Sequence, residues 1–165
     1  MSVLYIPIGI PGAGKSTLCR AMVEYGYFRS GCVISPDKIR ADFIGETYRP
    51  ELNPEVFDVA YSMLNLLDVS GNDGFWDATN CNTQQVVNLL ETVENMECVL
   101  IDMNVQYDVA SQRNAMRANP VPERVLKNME RGRVHVLSYL ARSGGLHQHE
   151  IVNADTIYQE MGANN

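Results

Sequence analysis

Apolar residues along the chain come in short runs broken by polar turns, and their spacing changes from run to run. Residues 3–10 are almost continuously apolar and rich in β-branched side chains, the pattern of a strand buried on both faces. The run breaks at Pro11-Gly12-Ala13-Gly14, and residues 16–25 read as a helix ended near Gly26. Cys32-Val33-Ile34 is a short second strand. Ser35 is placed to cap the next helix, with Pro36 at its first position and Asp37 in its first turn. Asn53-Pro54 repeats that start signal, and Phe57, Ala60, Tyr61, Leu64 and Leu67 follow on one helical stripe. Residues 74–80 are a third strand candidate. Asn82 and Gln85 open a helix in the manner of a capping box, with Val86, Leu89, Leu90 and Val93 along one face. Residues 98–103 predict a fourth strand. Residues 108–117 and 122–142 predict two more helices, the second stopped by Gly144-Gly145, and residues 150–153 predict a last edge strand with a helix beyond it.

Strands alternating with helices through short connections predict an α/β fold, a parallel sheet covered by helices on both faces. The length of 165 residues and the 45% apolar content suit one core, and no repeat or linker divides the chain, so residues 1–165 are expected to form a single domain. No apolar run is long enough to span a membrane, and the start lacks the basic flank of a signal peptide. Cys19, Cys32, Cys81 and Cys98 are widely spaced, which fits reduced thiols and a cytoplasmic location. His147 and His149 lie two apart but have no third ligand at metal spacing, and His135 is expected to pack or face solvent.

Gly9-Ile10-Pro11-Gly12-Ala13-Gly14-Lys15-Ser16 fits Gly-x-x-x-x-Gly-Lys-Ser/Thr, and Thr17 follows. Glycines let backbone N–H groups encircle phosphate oxygens, and the helix starting near Lys15 aims its positive end at the same anion. Lys15 can reach the β- and γ-phosphates, and the Ser16 hydroxyl can take a place on Mg²⁺. Because the motif joins an apolar strand to a helix, it predicts a nucleotide site of the P-loop NTPase type in a three-layer fold, with Gly12, Ala13, Gly14, Lys15, Ser16 and Thr17 holding ATP or another NTP.

The acceptor chemistry must come from other strand ends, since open parallel sheets place sites at their carboxyl edge. Asp37 follows the second strand at once, where a carboxylate can take the proton of an attacking hydroxyl; the same residue also suits an ordinary helix start. Arg40, one helical turn on, can face Asp37 or contact a substrate phosphate. Asp77-Ala78-Thr79-Asn80 ends the third strand candidate and projects polar groups toward the phosphate edge, or serves as a loop with Asn80 or Asn82 as cap. Asp102, ending the fourth strand, is expected to be structural.

The net charge is −7, which argues against a protein that coats nucleic acid non-specifically. Residues 111–133 depart from it, with six basic residues and two acidic ones. Within that segment Arg113 and Arg117 are four apart and are expected to share a helix face, where guanidinium groups over the P-loop would neutralise a transferring phosphoryl group. This makes residues 108–133 an arginine-bearing, mobile helical lid. Arg124, Lys127 and Arg131 form a second stripe, read as a solvated face.

Together these segments resemble the kinase domain of the phage-type polynucleotide 5′-hydroxyl kinases. The resemblance is carried by residues 9–17, Ser35-Pro36-Asp37 with Arg40, Asp77-Ala78-Thr79-Asn80, Arg113-Asn114-Ala115-Met116-Arg117, and Val121-Pro122 with Val125, Leu126 and Met129. It covers roughly residues 3–129. It implies Asp37 as general base toward a 5′-hydroxyl with Arg40 beside it, and Lys15 and Ser16 on donor phosphates and Mg²⁺. It further implies Arg117 as lid arginine supported by Arg113, Thr79 and Asn80 as a substrate-side pair, and a nucleic acid end or nucleotide-like acceptor as partner. The Asp-x-Asp motif of the bifunctional members is missing from the sequence, so 3′-phosphatase activity is not expected. The acid at Asp77 with Ala78 before Thr79 matches the wider family of small P-loop kinases. Kinases of 5-hydroxymethyl pyrimidine in DNA, of nucleosides or of metabolites are therefore alternatives, as is a nucleotide-gated binding module.

Overall fold

The computed structural model describes residues 1–45, 49–143 and 149–163. Five strands, β1 (Ser2–Ile8), β2 (Val33–Ile34), β3 (Gly74–Trp76), β4 (Met96–Asp102) and β5 (His149–Asn153), form one sheet of order β2-β3-β1-β4-β5. Every pairing is parallel; β1 and β4 run side by side from Ser2↔Met96 to Ile8↔Asp102. Among the described residues seven α-helices join or follow them: α1 (Lys15–Glu24), α2 (Pro36–Ile44), α3 (Asn53–Ser70), α4 (Thr83–Thr92), α5 (Tyr107–Ala115), α6 (Glu123–Arg142) and α7 (Ala154–Ala163).

The apolar runs within β1 and β4 have their cause in two cores, one on each side of the sheet. Leu4, Ile6, Ile8, Trp76, Cys98 and Leu100 face α3, α4 and α6 through Ala60, Leu64, Val86, Leu89, Val136 and Leu140. Phe75, Ile101 and the partly buried Tyr5 and Val99 face α1 and α7 through Leu18, Met22, Ile157 and Met161. Alternate residues thus serve opposite layers, as the period of two in a strand requires. The three-layer α/β expectation holds.

Several boundaries move, for reasons in the backbone. β1 ends at Ile8, because the Gly9 N–H leaves the ladder to donate to the Thr79 carbonyl at 3.0 Å. The third strand is shorter than residues 74–80: after Trp76 the chain turns, with the Ala78 N–H donating to the Trp76 carbonyl at 3.1 Å and Asn80 adopting a φ of 54°. Ser35 caps α2 by accepting from the Lys38 N–H at 3.3 Å, and Asn82 caps α4 by accepting from the Gln85 N–H at 3.0 Å. Asn53 is not a cap; α3 begins on it, and its side chain turns to Arg40. The helix stop read at Gly144-Gly145 and the pairing of His147 with His149 fall outside the described residues.

Two glycines are set by close approach. Gly12 has a φ of 87°, and a Cβ there would stand 2.2 Å from the Ala110 carbonyl oxygen, so α5 rests directly on the phosphate loop. Gly132, in the middle of α6, would place a Cβ 2.0 Å from the Cys81 carbonyl oxygen, so α6 lies on the loop that follows β3.

Candidate active site

The loop after β1 and the first turn of α1 form the floor of a cleft of about 750 Å³ at the carboxyl edge of the sheet. Residues 11–17 line it, together with Asp37, Asp77, Ala78, Thr79, Arg113 and Arg117. Strand order decides which group lies where. β1 is central, so the loop occupies the middle; α2 and the loop after β3 bring Asp37, Asp77 and Thr79 to one flank. The other flank, after β4 and β5, carries Met103, Val105, Ala154, Asp155 and Tyr158. A hollow of about 690 Å³ near Met1 has no such equipment: its Asp73 accepts from the Val3 N–H at 2.7 Å, and its Asp68 is taken up by Glu94 and Asn95.

Lys15 is the most constrained group in the cleft. Its Nζ donates to the Gly9 and Ile10 carbonyls at 2.8 and 2.9 Å, which leaves a third N–H for a ligand. Burial pushes its pKa down from 10.5 to about 8; Cys81, Asp77 and Asp37 act in the opposite sense and Arg117 adds to the fall. A bound polyphosphate favours the ammonium form, so nucleotide binding above pH 8 should take up a proton. Nucleotide affinity should therefore fall as pH rises through about 8, checked by titration calorimetry in buffers of different ionisation enthalpy. The sign for folding is opposite: the depressed pKa makes the buried charge a cost at lower pH, relieved as pH rises from about 8 toward the ordinary lysine range.

The flank beyond β2 and β3 holds two carboxylates in different settings. Asp37 projects from the first turn of α2 with its side chain 90% exposed, and Arg40 Nη1 donates to it at 2.5 Å. Arg40 does not line the cleft. Its Nε and Nη2 donate to Asn53 Oδ1 at 3.2 and 2.8 Å, so it ties α2 to α3 and presents only one nitrogen to Asp37. Asp77 is deeper. Burial raises its pKa, the Ser35 hydroxyl and Lys15 oppose the rise, and Asp37 adds to it.

Two site expectations need correction. Asn80 does not face the cleft with Thr79: it is buried, and its amide donates to the Pro7 and Ala78 carbonyls at 2.6 and 3.0 Å, locking the loop after β3 onto the end of β1. Arg113 and Arg117 both reach the cleft, but not from one helix face, since α5 ends at Ala115. The Arg117 N–H closes a tighter turn onto the Asn114 carbonyl at 3.1 Å. Asn114, buried, then clamps the loop: its amide donates to the Val121 carbonyl at 2.8 Å and accepts from the Val121 N–H at 3.1 Å. The Arg113 Nη1 lies 3.5 Å from the Gly12 carbonyl. Asp102 accepts from Arg133 Nη1 at 2.8 Å and from the Asn104 N–H at 3.0 Å, which is a structural arrangement.

A parallel sheet of this order, with a Gly-Lys-Ser loop after its central strand and arginines carried over that loop, defines a P-loop kinase-type domain. Residues 4–135 match the model of the AAA domain family (AAA_33), and the chain belongs to that family. No curated protein sequence matches it significantly. Among solved structures, a chain of the Pnkp1/Rnl/Hen1 RNA repair complex superposes with a TM-score of 0.72 at 16% identity, covering 84% of this chain and 46% of that one. A protein of Chloroflexus aurantiacus provisionally called a kinase gives 0.60 at 18% identity, covering 99% and 98%. A gluconokinase from Sinorhizobium meliloti 1021 gives 0.54 at 17% identity, covering 98% and 89%. At these identities the likeness is one of fold. The chain spans less than half the length of the RNA-repair chain it resembles. Among the described residues no helix is long and apolar enough to cross a membrane.

Proposed function

We propose that this chain is a kinase that transfers the γ-phosphate of ATP, or another NTP, to a hydroxyl, and that its acceptor is the 5′-OH end of DNA or RNA. The observation that carries the reading is one cleft with Lys15, Ser16 and Thr17 on its floor, Asp37 and Asp77 on one flank, and Arg113 and Arg117 over it. A module that only binds nucleotide has no use for an exposed carboxylate beside the phosphate loop.

In this reading the loop amides and Lys15 bind the donor phosphates, and the nucleoside lies toward Met103, Val105 and Tyr158. The acceptor oxygen attacks the γ-phosphorus, its proton passes to the Asp37 carboxylate, and the bond from that phosphorus to the bridging oxygen of the leaving diphosphate breaks. Arg40 orients Asp37 through its Nη1. The Ser16 hydroxyl and the Asp77 carboxylate are hard oxygen donors that suit Mg²⁺, which when bound offsets phosphate charge; such ions are held by few side chains plus the substrate phosphates. Arg117 acts on the charge of the transferring group. Arg117→Ala should lower kcat by up to ~10³-fold while raising KM for the nucleotide much less, measured by steady-state kinetics.

The polynucleotide end as acceptor is supported by the motifs shared with 5′-hydroxyl kinases and by the fold shared with a chain from an RNA repair complex. A second reading, a small polyol, nucleoside or 5-hydroxymethyl pyrimidine in DNA, is favoured by the acceptor flank itself. There Asp37, Asp77 and Thr79 line the cleft while the nearby Arg40 is already engaged. Labelled ATP incubated with 5′-OH oligonucleotides, hydroxymethylated DNA, nucleosides and sugars separates them. Label on the oligonucleotide end supports the first reading, and label only on another acceptor overturns it.

A further inference from the structure

We infer that the outer face of the first half of α6 is a track for the phosphate backbone of a single-stranded nucleic acid. The inference rests on the polynucleotide reading and names the surface that holds the strand behind its reacting end.

Arg124, Lys127 and Arg131 are exposed at helical spacing, and with Glu123 and Asn128 they line a groove of about 300 Å³. Expected from sequence to be one solvated charge stripe, they differ from Arg133 of the same helix in having few partners. Arg133 is turned inward and held by Glu130 and Asp102. That arrangement removes Glu130 from the outer face. Arg124 and Arg131 pair with no carboxylate among the described residues. Lys127 meets Glu123 at 2.9 Å in an exposed pair, which a phosphate can displace at small cost. In a chain of net charge −7, this leaves a local row of cations whose outward charge is not balanced.

The helix that carries the row packs on the acceptor side. Gly132 rests on the Cys81 carbonyl, and Cys81 is two residues beyond the cleft-lining Thr79. Leu126, on the inner face of the same turn, packs with Ile10 and Ala110 beside the phosphate loop. From Arg124 to Arg131 the helix rises about 10 Å, a length over which one strand offers more than one phosphate. Residues 123–134 include no aromatic side chain on which bases could stack, so contact is to the backbone and insensitive to sequence. Three cations in a single row are fewer than the clusters that hold proteins on anionic lipid.

The test is the variant R124Q/K127Q/R131Q, whose three positions are exposed; thermal unfolding checks that it folds. With a 5′-OH dinucleotide and a twelve-nucleotide acceptor, KM for the longer one should rise by roughly tenfold or more, with a shallower dependence on salt. KM for the dinucleotide and for ATP should not change. Equal behaviour of variant and wild type toward the long acceptor overturns the track, as does an equal loss for both acceptors. Binding of a fluorescent 5′-phosphorylated twelve-mer is read separately, because it does not depend on transfer. If no 5′-OH end is phosphorylated, salt-dependent binding that the variant loses still supports the track. Absence of binding, or displacement by polyglutamate at equal charge concentration, overturns it.

Discussion

Lys15→Ala is expected to abolish phosphoryl transfer while the fold survives. The Lys15 ammonium donates only to the Gly9 and Ile10 carbonyls, and the loop has other ties: Ala13 N–H to the Ile10 carbonyl, Leu18 N–H to the Gly14 carbonyl, and Gly9 N–H to the Thr79 carbonyl. None of these needs the lysine. Burial already pushes its pKa down to about 8, so holding the charge there is a cost to folding and its removal is not a loss of core packing. What disappears is the only ammonium on the cleft floor. Preorganised charge of this kind acts where charge develops in the transition state, and losing it should lower kcat by ~10³-fold or more. Activity and unfolding temperature measured on the same preparation check this. A folded variant with normal turnover would remove the phosphate-loop assignment.

Asp37→Asn carries the second large effect, a fall in transfer of ~10²–10⁴-fold, the range for a lost general base. Asp37 is the more exposed of the two carboxylates, with Arg40 held against it. Asp77 lies deeper, with Ser35 and Lys15 opposing the rise that burial gives its pKa, a setting better suited to the donor phosphates and their cation. Stability should barely change on Asp37→Asn, because an exposed ion pair contributes little and Asn is tolerated near a helix start. Nucleotide affinity should persist. Asp77→Asn should instead weaken nucleotide binding in the presence of Mg²⁺. Rates, affinities and unfolding temperatures of the two variants distinguish the roles. If Asp77→Asn alone erases transfer and Asp37→Asn does not, the proton acceptor is Asp77.

Much of this architecture was legible because local signals and burial agree. The apolar runs within β1 and β4 fit strands covered on both faces, as a parallel sheet between two helical layers provides, and the caps at Ser35 and Asn82 form as their spacing indicates. The phosphate loop was legible because its glycines answer a backbone demand, seen at Gly12 against Ala110. Features that depend on contacts distant in sequence were not legible. Nothing local says that Asn80 bonds back to Pro7, or that Gly132 must clear the Cys81 carbonyl. Asn114 gave no sign of its clamp on Val121, which forms only because the chain folds back after α5. Arg40 illustrates a split outcome: its spacing places it against Asp37, but its bond to Asn53 requires α3 to pack beside α2. Ser35 reads as a cap and is one; its influence on the Asp77 carboxyl needs β2 and β3 to be neighbours.

The central claim is that the cleft transfers a phosphoryl group rather than only binding a nucleotide. Its most direct test follows the fate of the γ-phosphate in the wild-type protein, by quantifying the diphosphate product and the phosphorylated acceptor together, with and without a 5′-OH oligonucleotide. The account predicts little diphosphate without acceptor, and with it one phosphorylated end for each diphosphate released. Diphosphate formed at the same rate whether or not any hydroxyl acceptor is present, with inorganic phosphate as its partner, would contradict it.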